Sequence, residues 1–450
     1  MRRGRSFLLM LVVAAGLGAY IYFVEMKRDP AADTATAARE KVFTIATGAI
    51  EEVEVTNASA EVTRATRTDT TWALVVPEAA EADTIAVSTL VSSIESLERV
   101  KVIDDTPASL EPFGLAPARI RIAFKVAGDP AAKTLLIGNK TPTGGDLYAK
   151  VGDAPAVFLI GGFLEDTFNK TPFDLREKSV LKFALDGVDA LALAQGPARI
   201  SLSKTGGDWR FTAPLAANAD AAAVDALVNR LFQAKMTRLS ASGAAARLKE
   251  FGLDKPKVVV TVASGSSRAE LAIGADDDDT NVFARDLARP LVFSVEKTLV
   301  DELLKTADDY RVKDAFAFRS FTAQALDIAF GGKTYSFAKK MGEGENAADT
   351  WSQTAPEAKA VDEAKFSDLL MTISNLRAES FAAAALTGGE SITVTARFGD
   401  AAAPQTETVT LRKAGAVAQA IRAGEPGAAV VSTADFDRAM GLFRELTGAK

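Results

Sequence analysis

Four consecutive aspartates, Asp276-Asp277-Asp278-Asp279, are the densest group of chemistry-bearing side chains in this 450-residue chain. Clustered oxygens suit a hard cation such as calcium. The run lacks the spaced ligands, the Gly and the Glu of an EF-hand loop, and it falls in an expected hairpin connection, so it reads as a solvated acidic turn. Gly138-Asn139-Lys140-Thr141 has the look of a phosphate loop, but no G-x-x-x-x-G-K-[ST] precedes it and no long helix is expected after it. Its counterpart from Gly274 to Thr280 has no lysine, and a hairpin loop over Gly138 to Gly145 is the better account. Ser203-Lys204 could pair a nucleophile with a base, yet neighbouring side chains on a strand point to opposite faces, and no S-x-x-K is present. Two carboxylates suffice for glycoside hydrolysis, but nothing singles out a pair. No catalytic, cofactor-binding or metal-ligating residue is therefore assigned.

Cysteine and histidine are both absent. That removes disulfides, thiolate nucleophiles, zinc fingers, haem ligands and the Ser-His-Asp triad, and leaves catalysis to carboxylates, Lys, Tyr or Ser. The composition is globular, 48% apolar and 25% charged. A net charge of −7 and a pI near 5.1 argue against a nucleic-acid surface, since phosphate binding needs a concentrated basic face.

The elements that would position any such groups repeat. Thr71-Trp72-Ala73-Leu74-Val75-Val76-Pro77, Asp208-Trp209-Arg210-Phe211-Thr212-Ala213-Pro214 and Thr350-Trp351-Ser352-Gln353-Thr354-Ala355-Pro356 use all three tryptophans. Each reads as a strand stopped by proline five residues after its Trp, at Pro77, Pro214 and Pro356. The spacings are 209−72=137 and 351−209=142, the length of whole domains. At each copy the large ring is expected to fill a sheet–helix core.

In the first copy Val53, Val55 and the Val62 stretch alternate up to the Trp72 strand, which predicts an antiparallel meander. Asp83 then caps a helix with Val87, Leu90, Val91, Ile94 and Leu97 on one face. A turn follows at Phe113-Gly114-Leu115-Ala116-Pro117, with glycine free to take positive φ. The second copy answers with Asp220, with Phe251-Gly252-Leu253-Asp254-Lys255-Pro256, and with Leu271-Ala272-Ile273-Gly274 for Leu135-Leu136-Ile137-Gly138. Phe283-Ala284-Arg285 matches Tyr148-Ala149-Lys150, and Asp309-Tyr310-Arg311 matches Asp174-Leu175-Arg176. The third copy keeps Trp351, Asp362 and an amphipathic helix but lacks the Phe-Gly-Leu turn, so it reads as a degenerate terminal module.

At the N-terminus Arg2, Arg3 and Arg5 precede an uncharged run from Ser6 to Val24. At about 1.5 Å per residue that run just spans a hydrocarbon core of roughly 30 Å, with Tyr20, Tyr22 and Phe23 at the distal interface. No small-x-small cleavage site directly follows, so an uncleaved anchor is preferred to a signal peptide. The expected fold class is α+β: an N-terminal transmembrane helix, then three related modules of mainly antiparallel sheet with packed helices. The expected divisions are a cytoplasmic basic stub (1–5), the anchor (6–24), a tether (25–40), and modules over 41–181, 182–318 and 319–450.

With the anchor, the W-x-[LF]-x-x-P strand, the F-G-L-x-x-P turn around Gly114 and Gly252, and the L-x-I-G strand before an aromatic-Ala-basic strand, the chain resembles the bacterial family called domain of unknown function 4340. The resemblance covers nearly everything from about Lys41 onward. It implies a single-pass envelope protein associated with ABC-type transporter components, and it carries no catalytic residues across. The expected role is a non-enzymatic accessory or scaffold protein in the bacterial inner membrane, N-terminus cytoplasmic and bulk periplasmic, partnered by protein and by no nucleic acid. The alternatives are an envelope lipid- or glycan-binding module using an inter-module groove and, behind it, a carboxylate-based hydrolase.

Overall fold

The structure, a computed structural model, describes residues 40–242, 247–340, 342, 349–400 and 402–450. The expected stub, anchor and all but the last residue of the tether lie outside the described residues. Among the described residues no helix is long and apolar enough to cross a membrane. The chain divides into two compact units between Lys178 and Ser179.

The first unit holds one nine-stranded sheet. Its strands are β1 (Ile50–Thr56), β2 (Val62–Thr68), β3 (Thr71–Val76), β4 (Ala80–Glu81), β5 (Lys101–Asp104), β6 (Ile120–Val126), β7 (Asp129–Lys140), β8 (Asp146–Val151) and β9 (Val157–Gly161). They lie in the order β4-β3-β2-β1-β6-β7-β8-β9-β5, and every pairing is antiparallel. The chain climbs a three-stranded meander and meets the cis-proline Pro77. It then crosses one face of the sheet as the helix Thr84–Glu95 and resumes at the far edge as β5. Asp83 caps that helix, accepting from Ile85 N and Ala86 N at 3.1 and 3.0 Å, which satisfies two of the donors a helix start leaves free. Val87, Leu90, Val91 and Ile94 are buried against Val53, Val55, Trp72, Leu74, Ile122 and Phe124. At ~1.5–3 kcal/mol per side chain, that helical face contributes roughly 6–12 kcal/mol before the entropy of ordering is subtracted.

The second unit repeats this order twice. An eight-stranded sheet comprises β10 (Ala190–Gln195), β11 (Ala198–Thr205), β12 (Asp208–Ala213), β13 (Arg238–Ser242), β14 (Val258–Ser264), β15 (Ser267–Asp276), β16 (Asn281–Asp286) and β17 (Leu291–Glu296). Its order is β12-β11-β10-β14-β15-β16-β17-β13. A nine-stranded sheet comprises β18 (Ala323–Phe330), β19 (Lys333–Lys340), β20 (Thr350–Ala355), β21 (Lys359–Ala360), β22 (Ala378–Ala382), β23 (Glu390–Asp400), β24 (Ala403–Ala414), β25 (Val417–Arg422) and β26 (Ala428–Val431). Its order is β21-β20-β19-β18-β23-β24-β25-β26-β22. The crossover helices are Ala221–Gln233 and Glu363–Ser374, capped by Asp220 and Asp362. The third sheet keeps the full strand order although its sequence lacks the Phe-Gly-Leu turn, because alternation, not that turn, dictates the pairing.

The fold is therefore α+β and rich in sheet, three times over. A second helix follows each final strand and lengthens along the chain: Glu165–Phe168, Lys297–Leu303, then Thr433–Thr447. One expectation is corrected. The loop anticipated from Gly138 begins only at Thr141, since Gly138, Asn139 and Lys140 end β7. An irregularity between Ile137 and Lys140 lets the strand continue beneath the Phe113 turn.

Candidate functional site

The residues singled out for chemistry are occupied by local partners. Asp276 is paired with Lys257 and, at 3.0 Å, with Lys297; the two lysine hydrogen bonds hold its carboxyl below the usual range. Asp277 is paired with Arg238 and accepts from Ser294 Oγ at 2.5 Å. Asp278 closes the turn by accepting from Thr280 N, Asn281 Nδ2 and Thr280 Oγ1, which brings its carboxyl down to about 2. The acidic run is a structured turn bound to its own basic neighbours, and among the described residues no group of carboxylates is arranged to hold a metal ion. Lys140, the would-be phosphate ligand, sits 2.6 Å from Glu165. That lysine, followed by Arg119, holds the Glu165 carboxyl below its ordinary value. Ser203 and Lys204 point to opposite faces of β11; Lys204 lies over the Trp209 ring, 5.4 Å from its centroid, with Asp225 3.7 Å away.

The repeat hallmarks build the core and the turns. Trp72 and Trp209 are buried, and Trp209 Nε1 donates to Asp225 at 2.7 Å. Trp351 is half-buried against Phe366, ring centroids 4.8 Å apart. Pro77, Pro214 and Pro356 all follow cis bonds after the tryptophan strands. Gly114 and Gly252 share the left-handed φ of +66°, and each turns its copy's Phe-Gly-Leu segment onto the sheet face opposite the helices. Phe113 there meets Tyr148 edge-on at 5.0 Å, and Phe251 meets Phe283 at 4.9 Å.

Arginines that no motif marked hold the chain where it enters a module. Arg289 Nη2 donates to the carbonyls of Ser179 and Val180 at 2.7 and 2.8 Å, and its Nε pairs with buried Asp286 at 2.7 Å. One module later Arg422 Nη2 donates to the carbonyls of Asp314 and Ala315 at 3.3 and 3.1 Å, and its Nη1 pairs with Glu407 at 3.0 Å. The entering chain is bonded alike in each copy: Val42 N to Leu97 O, Val180 N to Ala234 O and Ala315 N to Leu376 O, each at 2.8 to 3.0 Å. The acceptors are spaced 234−97=137 and 376−234=142, the same intervals as the tryptophans. Arg289 and Arg422 escape sequence reading because one follows β16 and the other lies in β25, so no common spacing marks them.

Between the second and third sheets lies a cleft of about 30 Å³, lined by Asn218, Arg311, Phe381, Arg422 and Glu425 among others. Arg311 is buried and stacks on Phe381, 3.8 Å from the ring centroid; burial pulls its guanidinium below the ordinary value. Asn218 Nδ2 donates to Glu425 across the cleft at 2.7 Å. The space fits one water-sized group.

A family model described as Domain of unknown function (DUF4340) matches residues 72–210 and 209–395, and each match opens on a hallmark tryptophan. The chain belongs to the DUF4340 family. No curated protein matches it. Two solved structures of the DNA polymerase sliding clamp from Pseudomonas aeruginosa, one with a ligand, are similar at 11% identity, over 70% of this chain and 85% of theirs, with a TM-score of 0.15. At that score the likeness carries no argument about this DUF4340 chain. Among its described residues, every carboxyl group with a displaced pKa is displaced downward, Glu165, Glu296, Asp309 and Asp349 included. Such groups are ionised at neutral pH, the opposite of what a general acid requires.

Proposed function

We propose that this DUF4340 chain is a non-enzymatic accessory or scaffold protein, held in the bacterial inner membrane by residues 6–24 with its sheets on the extracytoplasmic side, where they brace a membrane partner. An ABC-type transporter is the partner to which the family resemblance points. The observation that carries the reading is repetition: one strand order built three times, with Arg289 and Arg422 fixing the entering chain by backbone carbonyls. Such a design multiplies surface without converging side chains on a single cleft. Downward-displaced carboxyl groups and locally paired lysines support the same reading over hydrolysis. Lipid or glycan in an inter-module groove has less to rest on, because the cleft between the second and third sheets offers about 30 Å³, against ~300–1,000 Å³ for ordinary ligand pockets. Crosslinking in intact membranes followed by pull-down in mild detergent tests the reading. A membrane protein recovered in stoichiometric yield is expected, and recovery of none above background counts against it.

A further inference from the structure

Glu40, the first described residue, lies against the edge of the first sheet. Lys41 bridges Glu98 antiparallel, Val42 N donates to Leu97 O at 2.8 Å, and Arg99 N donates to Glu40 O at 2.9 Å. The next amide, Val100 N, turns the other way and donates to Leu159 O of β9 at 2.8 Å. Backbone groups alternate in direction along a strand, so the N–H and C=O of Lys101 return to the side that Glu40 occupies. β5 ends the sheet on that side. All four of its residues are exposed, Val102 to 39% and Ile103 to 40%. An open edge carrying two β-branched apolar residues is a template for a further strand.

The third copy supplies an independent observation. There Ala378 N donates to Lys313 O at 2.7 Å, as Arg99 N does to Glu40 O. The offset 378−99=279 is that of the helix caps, 362−83=279. Two residues upstream of Lys313, Arg311 lies over the Phe381 ring, 3.8 Å from its centroid. Phe381 lies in β22 and corresponds to Val102 of β5, since 102+279=381. The residue two upstream of Glu40 is Ala38. The chain entering the third copy therefore reaches over its edge strand, and the matching stretch of the first copy is the end of the tether.

We propose that the tether residues Ala37, Ala38 and Arg39 add a strand to the free edge of β5, opposite Val102, Lys101 and Val100. The inference rests on the anchored reading above and says how the first unit is held to the membrane. Continuity sets the occupant, because the chain is already in register at Lys41 and Glu98, and 41+98=139 pairs 39 with 100, 38 with 101 and 37 with 102. In that register Ala37 stands beside Val102, and Arg39 lies diagonal to the exposed Glu98, a cation next to an anion. The extension stops at Ile103, where the β5–β9 ladder shifts register. The free tether shrinks to residues 25–36, which brings the β5 edge within about 40 Å of the bilayer at ~3.3–3.6 Å per residue.

Because the chain has no cysteine, thiol pairs can be placed one at a time in the full-length protein in native membranes. Residues 37 and 102 form a non-hydrogen-bonded pair in the proposed register, with Cα atoms ~4.5 Å apart, a separation that a disulfide spans. Under mild oxidation Ala37→Cys with Val102→Cys should close about tenfold faster than Ala37→Cys with Lys101→Cys, whose side chains project to opposite faces. Adding Ala38→Pro, which removes an amide from the ladder, should slow the 37–102 closure about tenfold. Equal rates for the two pairs, no disulfide from either, or a 37–102 closure that Ala38→Pro leaves unchanged each overturn this inference and leave the anchored reading standing. Release of the protein from membranes by alkaline extraction overturns the anchored reading instead, and the ratio of the two rates still decides the strand.

Discussion

The carbonyl oxygen of Phe113 occupies the space that a Cβ on Gly138 would need, and the Phe251 carbonyl stands in the same relation to Gly274. In the second copy that carbonyl accepts from Ala275 N at 2.8 Å, so the turn is bonded to the strand it covers. Two motifs that look separate in the chain, Phe-Gly-Leu and Leu-x-Ile-Gly, are the two sides of one contact.

Gly138→Ala and Gly274→Ala should each destabilise their unit by about 1–3 kcal/mol, because a backbone carbonyl cannot swing aside as a flexible side chain can. Gly145→Ala, with open space around its Cα, should be nearly neutral. Urea unfolding of the three variants checks this.

Arg422→Met should cost about 2–4 kcal/mol, since it strips two backbone carbonyls of a donor and leaves Glu407, 9% exposed, without its cation. Glu407 keeps the N–H groups of Ala317 and Phe318, which places the cost below that of a fully orphaned charge. Glu407→Gln on the Arg422→Met background should recover part of the loss. A double-mutant cycle in urea measures both.

Trp209→Phe should lose about 1–3 kcal/mol through lost volume and the missing bond to Asp225, and Asp225→Ala about 0.5–1.5 kcal/mol. Trp351→Phe should lose less, its ring being half-buried. Tryptophan emission provides a second check, because Trp209 lies dry and Trp351 meets water.

The Asp278 carboxyl, at about 2, lies below the ordinary aspartate value of 3.8. A depressed folded value means that the linked stability is present above the ordinary value and is lost as pH falls through the folded one. The difference in urea midpoint between the wild type and Asp278→Ala should therefore be constant near neutrality and shrink between pH of about 4 and about 2. A difference that stays constant through that window would show the turn to be indifferent to its charge.

Much of the architecture could be read along the chain. Alternation located β1 to β3 and their counterparts, Asp83, Asp220 and Asp362 announced the crossover helices, and 137- and 142-residue spacings counted the copies. These signals are local, and local periodicity survives without knowledge of any partner. The expected loop at Gly138 failed for a tertiary reason: the Phe113 turn covers that stretch and lets β7 run on to Lys140. The acidic run reads as a solvated turn, and Asp276, Asp278 and Asp279 are indeed exposed; its partners Lys257, Lys297 and Arg238, just before β14, at the start of a helix and in β13, could not be read from the chain.

Sequence alone determined the number of modules, the core face of the three crossover helices, and the exclusion of thiol and imidazole chemistry, because each follows from residue type and short-range period. Only the tertiary structure decided which charges meet. Arg289 reaches Ser179 across 110 residues and Arg422 reaches Asp314 across 108, and the register of paired strands, which no spacing encodes, brings them together.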